Sequence, residues 1–148
     1  MIFDSHAHYN DDRFSEDRDA VLAGLAEQNV GMVMNACAAM EEIEPILALT
    51  DKYPFLYASV GVHPHDAVTM KMQDLDTLRK AAKHQKVKAI GEIGLDYHWK
   101  EPEPAIQKEW FVRQLNLAEE VNLPVIIHSR EAAKDTLDIM KASHAQAM

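Results

Sequence analysis

Two histidines near the start of the chain, His6 and His8, are separated by one residue. In an extended segment, side chains two positions apart point to the same face, so both imidazoles can reach one ion. Two histidines that end a strand without binding metal are the alternative, and the spacing alone does not exclude it. The pair therefore indicates a metal site only if other ligands converge on it.

Further ligand-type residues follow later apolar segments. Glu92 lies between glycines, in Gly91-Glu92-Ile93-Gly94, and His128 follows three aliphatic residues. A buried carboxylate needs a cation or several hydrogen-bond donors to stay charged, and a bridging position between two metals would supply that. His128 alone could equally be a core histidine with satisfied hydrogen bonds. Together the set suits divalent zinc, manganese or iron, with magnesium also allowed: His6, His8, Glu92 and His128.

The elements that must position these residues are short apolar runs, each typical of a buried strand. They cover residues 1–4, 30–35, 55–62, 87–93 and 124–127. Amphipathic stretches between and after them predict five helices. The clearest helix has an apolar stripe of Ile106, Trp110, Phe111, Leu115 and Ala118, and the last is expected over 131–143 with Ala133, Leu137 and Met140 on one face.

Alternating strands and helices predict a single α/β domain, residues 1–148, built from parallel βαβ units. The strands start about 30 residues apart, close to the spacing in a (β/α)₈ barrel of ~250 residues. The expected fold class is therefore a parallel TIM-barrel type truncated to about five of eight units. The alternative is a complete open sheet of five strands. In both folds, sites lie at the carboxyl ends of the strands, where the candidate residues fall.

Composition excludes several classes of protein. The chain has 148 residues and a formal net charge of −9, without a cluster of Lys and Arg that could bind duplex DNA through counterion release. No apolar run approaches the ~20 residues needed to span a bilayer, and the start lacks the pattern of a secretory signal. The single cysteine, Cys37, fits a reducing compartment, so we expect a cytoplasmic protein.

Four motifs occur in order along the chain: D-S-H-A-H, G-V-H-P-H, A-I-G-E-I-G-L-D-Y-H and P-V-I-I-H-S-R-E. Together they resemble the TatD family of metal-dependent nucleases, which are amidohydrolase-type (β/α)₈ barrels. The resemblance implies a 3'-5' exonuclease or deoxyribonuclease that uses two divalent ions (Mg, Mn or Zn) and takes DNA, single strands above all, as substrate. Related barrels often carry a lysine where this chain has Glu92, which favours the nuclease family.

The resemblance also implies a role for individual residues. His6 and His8 would hold one metal, Glu92 would bridge two metals and act in catalysis, and His128 would hold the second metal. His63 and Arg130 would be catalytic residues close to the substrate phosphate. Two roles stay open for Asp96, which either supports a ligand or is an ordinary loop aspartate, and the role of Tyr97 is undefined. Surface positions are expected for the other histidines: His65, His84, His98 and His144.

The chain departs from the family pattern because it lacks a histidine block after strand six and an aspartate block after strand eight. A fragment, a truncated gene and a functional short form are all consistent with this. We expect weak or no hydrolysis, and either self-association through the open edges of strands one and five or an open, flattened α/β sandwich. The alternatives to a nuclease are a non-catalytic metal-binding or oligomerising fragment, and a related amidohydrolase acting on a cyclic amide, lactone or phosphotriester.

Overall fold

Parallel strands alternate with helices along the chain. The structure, a computed structural model, describes residues 1–143. The strands are β1 (Ile2–Ala7), β2 (Val30–Asn35), β3 (Leu56–Val60), β4 (Val87–Asp96) and β5 (Val125–Arg130). The α-helices are α1 (Arg18–Gly24), α2 (Ile43–Lys52), α3 (Met72–Ala81), α4 (Pro104–Val121) and α5 (Ala133–Ala142), with short 3₁₀ helices at Asp12–Phe14, Met40–Glu42 and Pro64–Thr69.

The five described strands form one parallel sheet in the order β1-β2-β3-β4-β5. A doubly wound sheet reverses its strand order at a switch point, whereas a barrel adds each strand beside the previous one. The order is sequential and the sheet is curled into a half-barrel, so the TIM-barrel prediction is confirmed. The alternatives of a complete open sheet and a flattened sandwich are wrong.

The two faces of the sheet bury different partners. On one face, strand residues such as Val33, Val60 and Ile90 belong to clusters that include residues of the helices. On the other face, a smaller cluster contains strand residues alone, centred on Met34 and Ala89. This alternation along the strands places the helices outside the curl and leaves the concave side to the strands.

Three strands extend further at their carboxyl ends than the apolar runs predicted. β1 continues to Ala7, β4 to Asp96 and β5 to Arg130, each three residues beyond the expected end. The added residues still pair across the sheet, as Asp96 does with Arg130. Because hydrophobicity marks only the buried part of a strand, polar residues that continue the ladder were not recognised from the sequence.

The last helix, α5, presents a different face to the sheet from the predicted one. Leu137 is 51% exposed, while Thr136 is buried and its hydroxyl lies 3.0 Å from the Ser129 hydroxyl in β5. The buried side is completed by Ala132, so the predicted face through Leu137 is wrong. His144 lies outside the described residues. Within residues 1–143, no helix combines the length and apolarity that crossing a membrane requires.

Two buried glutamines on α4 hold the carboxyl ends of β3 and β4. The Gln114 amide accepts a hydrogen bond from Val62 N–H (2.8 Å) and donates one to the Val62 carbonyl (3.0 Å). Gln107 does the same for Asp96, accepting from its N–H (2.8 Å) and donating to its carbonyl (2.9 Å). Each glutamine thus satisfies backbone groups that the sheet no longer pairs.

Replacing Gln114 with leucine should lower the free energy of unfolding by roughly 2 to 4 kcal/mol, because the Val62 N–H and carbonyl lose their partners while remaining buried. Urea denaturation measures this change. The matched control is Gln73→Leu at an exposed position of α3, which should shift stability by less than about 0.5 kcal/mol. Equal effects of the two substitutions would contradict the role assigned to the Gln114 amide.

The edge strand β1 leads to a second prediction. Ile2 and Phe3 are 53% and 44% exposed, and β1 pairs on one side only among the described strands. Self-association through such edges therefore stays a prediction. In sedimentation velocity experiments, the sedimentation coefficient should rise with protein concentration. Phe3→Lys should reduce association because a charge opposes edge pairing, whereas Met72→Lys, at an exposed site on α3, should not. A monomer at all concentrations would contradict it.

Candidate metal centre

The candidate residues lie at the carboxyl ends of four strands. His6 and His8 are at the end of β1, Glu92 is in β4, and His128 is in β5. His63 follows β3 by three residues. A groove of about 520 Å³ opens at this rim, and every one of these residues except His6 lines it, together with Arg130.

Local irregularities in the strands aim two of these side chains. The pairing of β1 with β2 shifts between Asp4 and Ala7, the segment that contains His6. The pairing of β4 with β5 shifts between Ile90 and Ile93, on either side of Glu92. Bulges of this kind redirect a side chain beside a site, and here both occur next to candidate ligands.

Glycines next to Glu92 let β4 approach β5 closely. A Cβ atom on Gly94 would lie 2.0 Å from the His128 carbonyl oxygen, and one on Gly91 would lie 2.7 Å from Ile126 Cβ. Gly94 also has φ +145°, a conformation that other residues rarely adopt. The glycines of the G-E-I-G motif therefore permit the contact between Glu92 and the neighbouring strand.

The first cluster joins the two histidines of β1 to one oxygen of Glu92. His6 Nε2 lies 3.1 Å from Glu92 Oε2, and His8 Nε2 lies 3.7 Å from the same oxygen. The two Nε2 atoms are 3.1 Å apart. Three potential ligand atoms thus converge from β1 and β4, which are not neighbours in the sheet.

The second cluster uses the other oxygen of Glu92. His128 Nδ1 lies 2.9 Å from Glu92 Oε1, and the His63 ring packs edge-on against the His128 ring with centroids 4.2 Å apart. In each cluster of three, one ligand atom per residue can be chosen so that all lie within 4.8 Å of one another. Glu92 belongs to both clusters, which is the arrangement expected of a bridging carboxylate.

Asp96 supports His128 from the opposite side. Its Oδ2 lies 2.9 Å from His128 Nε2, and its Oδ1 accepts a hydrogen bond from the His98 N–H (3.0 Å). The sequence left two roles open for Asp96. The structure shows its carboxylate in contact with the candidate ligand His128, as expected of a residue that supports a ligand. A carboxylate in this position fixes the orientation and tautomer of an imidazole.

His63 is oriented by the start of a 3₁₀ helix. Its Nδ1 accepts a hydrogen bond from the His65 N–H (3.1 Å), so the neutral ring carries its proton on Nε2. Burial, assisted by the nearby His128, lowers the pKa of His63 to about 4. The side chain is therefore a neutral hydrogen-bond donor at neutral pH.

The carboxylates of the centre remain ionised at neutral pH. Burial by itself would raise the pKa of Glu92, but the hydrogen bond with His128 and the nearby imidazoles of His6 and His63 outweigh it and lower the pKa to about 2. The same competition lowers the pKa of Asp96, again because His128 faces it. The hydrogen bond to Glu92 raises the pKa of His128 despite its partial burial. Positive charge, from protons or a metal, is favoured here.

The sequence did not reveal two residues that shape this site. Trp99 lines the groove, and Gln107 holds the backbone of Asp96. A signal for the glutamine was present, since Gln107 and Gln114 interrupt the apolar stripe of α4 seven residues apart. No sequence pattern marked Trp99.

The histidines expected at the surface follow the prediction in part. His65 and His98 are exposed, as expected. His84 is half-buried, with its Nε2 3.3 Å from Asp51 Oδ1, so it is less exposed than expected.

A parallel half-barrel with imidazoles and carboxylates at the carboxyl ends of its strands is typical of barrel-type metal-dependent hydrolases. Comparison with known families gives a more specific assignment, because residues 3–148 match the family described as TatD related DNase. The chain belongs to this family.

Individual relatives agree with that assignment. The Bacillus subtilis "uncharacterized metal-dependent hydrolase YabD" is 40% identical over 148 residues, which are 100% of this chain and 58% of that protein. The "3'-5' ssDNA/RNA exonuclease TatD" of Cronobacter sakazakii is 36% identical over 131 residues, covering 88% of this chain and 50% of the relative. The chain thus spans about half the length of the curated relatives it matches.

A solved structure matches the fold. The crystal structure of the TatD homologue YjjV from Escherichia coli superposes with a TM-score of 0.89 at 34% identity, over 95% of this chain and 55% of that protein. The five βα units therefore keep the arrangement they have in a longer homologue.

Replacing Glu92 with glutamine should weaken the binding of Zn²⁺ or Mn²⁺ by more than about 100-fold, because both clusters lose their shared anionic ligand. Isothermal titration calorimetry measures affinity and stoichiometry. The control is Glu119→Gln on the exposed side of α4, which should bind as the parent chain does. Unchanged metal content in Glu92→Gln would exclude Glu92 as a ligand.

Proposed function

We propose that this chain carries the metal-binding part of a hydrolase that cleaves phosphodiester bonds in single-stranded nucleic acid. One divalent ion would be held by His6, His8 and Glu92, and a second by Glu92 and His128. The observation that carries the proposal is that the two carboxylate oxygens of Glu92 contact different histidines. Oε2 faces His6, and Oε1 faces His128.

The donor set fits divalent ions. Imidazole nitrogen with one carboxylate suits zinc and manganese, while magnesium prefers a site richer in oxygen. Glu92 is 7% exposed and ionised, so the site favours a cation. The number of ions and the native metal are part of the proposal, and zinc and manganese are the first metals to test.

Each side chain around the centre has a distinct task. Divalent ions bound there would lower the pKa of a water molecule and polarise a phosphoryl oxygen. His63, which lines the groove and carries its proton on Nε2, would donate a hydrogen bond to a phosphate oxygen. Arg130 supplies a positive charge at the rim, where it can neutralise charge that develops on the phosphate. Asp96 keeps His128 in a fixed orientation.

Charge favours single strands over duplex as the substrate. The chain is acidic overall, and the groove itself contains Asp11, Glu42 and Asp66 beside the candidate ligands. Without a basic surface, a rigid duplex gains little from counterion release. A single strand can instead place one phosphate at the centre, in keeping with the relatives named ssDNA/RNA exonucleases. A cytoplasmic location stays a prediction.

A non-catalytic metal-binding fragment is the second candidate. It is favoured by the second cluster, where His63 presents a proton rather than a lone pair and leaves Glu92 and His128 as the ligands. The family's further histidine and aspartate blocks do not occur in the 148 residues. The amidohydrolase alternative is disfavoured because Glu92 occupies a position that often carries lysine in those barrels.

A cleavage assay with a labelled single-stranded oligonucleotide and Mn²⁺ tests the proposed function. We expect slow, metal-dependent cleavage by the chain, well below that of a full-length relative. His63→Asn should slow cleavage about 100-fold without changing metal affinity, because a donor to the phosphate is lost. Glu92→Gln should abolish cleavage.

Glu119→Gln is the control for the same assay and should cleave at the parent rate. Cleavage that persists in Glu92→Gln would contradict the proposed site. Two bound ions without any cleavage would favour the non-catalytic candidate, and turnover equal to that of a full-length relative would show that the expected impairment is wrong.

A further inference from the structure

We propose that Trp99, together with Arg130, forms a stacking platform that binds a nucleobase of a single-stranded substrate beside the metal centre. The inference rests on the proposed function and deepens it, since it names how the substrate is held. It assigns a binding role to a residue outside the candidate ligands.

The exposure of Trp99 is the first observation. The side chain is 54% exposed, whereas the chain's other tryptophan, Trp110, is a buried residue of α4 in the main hydrophobic core. Trp99 follows the carboxyl end of β4 and lines the groove that also contains His63, Glu92 and His128. A large aromatic ring left in water at the mouth of a polar groove is a feature of ligand-binding surfaces.

The ring is held in position by its neighbours. His98 packs edge-on against it with ring centroids 4.8 Å apart, and His98 Nδ1 lies 2.8 Å from Glu131 Oε1. The Arg130 guanidinium lies 6.0 Å from the centre of the Trp99 ring. These contacts come from the ends of both β4 and β5, so they reduce the side-chain freedom that binding must remove.

Arg130 and Arg13 both line the groove but differ in their partners. Within residues 1–143 it forms no ion pair with a carboxylate, whereas Arg13 on the same groove is paired with Asp11 at 2.8 Å. Its contact is the Trp99 ring. A guanidinium without a direct ion pair can bind a phosphate oxygen while the adjacent ring takes the base of the same nucleotide.

Charge explains why stacking is needed. Carboxylates of Asp11, Glu42 and Asp66 surround the groove, so backbone electrostatics give little affinity. Stacking on an aromatic ring is independent of charge and tolerant of sequence, because every base has a π-face. The platform would therefore hold DNA and RNA single strands of any sequence, with the phosphate next to the stacked base directed toward the metal centre.

The test compares binding of two oligonucleotides by the 148-residue chain in Mn²⁺. One is a thymidine oligonucleotide with phosphorothioate linkages that resist hydrolysis, and the other has the same backbone with abasic sites. Fluorescence anisotropy of an end label gives affinity, and quenching of tryptophan emission reports contact with Trp99. We expect Trp99→Ala to weaken binding of the thymidine oligonucleotide about tenfold, and Trp99→Phe to restore most of it.

Two controls separate stacking from other effects. The abasic oligonucleotide should bind equally weakly to the parent chain and to Trp99→Ala. Leu137→Ala, which removes an exposed apolar side chain from α5, should leave both affinities unchanged. The Trp99→Phe variant should keep the parent's preference for the oligonucleotide that carries bases.

Equal affinity of the parent chain for the two oligonucleotides would overturn the platform, as would an unchanged affinity in Trp99→Ala. Either result is compatible with metal-dependent cleavage that is lost in Glu92→Gln, so the proposed function would survive. Failure to bind either oligonucleotide would overturn the proposed function and the platform together.

Discussion

A single buried carboxylate organises the site of this protein. Glu92 is 7% exposed, and each of its oxygens faces imidazole nitrogens from a different strand. Burying an ionised carboxylate costs several kcal/mol unless positive charge surrounds it. The histidines of β1 and β5 surround the Glu92 carboxylate, and a divalent ion bound there would compensate its charge more completely. The carboxyl ends of the other strands lie where they bring these imidazoles to Glu92.

The backbone of β4 shows how that need is met. A regular strand between two neighbours would alternate its side chains and pair at every step, but β4 shifts register between Ile90 and Ile93. Gly91 and Gly94 approach β5 at distances that no Cβ would allow. Gln107 then pairs the backbone at the end of the strand, where Asp96 turns toward His128. Gln107 on α4 thus satisfies backbone groups of Asp96 that lie beyond the last pair of β4 with β3.

The sequence predicted the parallel strands, the barrel type and the convergence of His6, His8, Glu92 and His128, because each depends on local patterns repeated along the chain. It failed where a contact depends on tertiary packing. Apolar runs end before the strands do, since polar residues continue the ladder. Periodicity does not say which of two mixed faces of α5 meets the sheet, so the predicted face through Leu137 is wrong. No sequence pattern marks Trp99, since its exposure is a property of the folded groove.

Burial is uneven across the site. Val60, Ile90 and Val125, on β3 to β5, are almost fully buried, whereas Ile2 and Phe3 of β1 are largely exposed. His6 and His8 therefore belong to the strand with the least hydrophobic support, yet they contact the most buried ligand, Glu92. A cation shared between β1 and β4 would connect the weak edge to the core, and a ligand that binds only the folded state stabilises that state. Metal binding and the order of β1 are for this reason expected to be coupled, because the same contacts serve both.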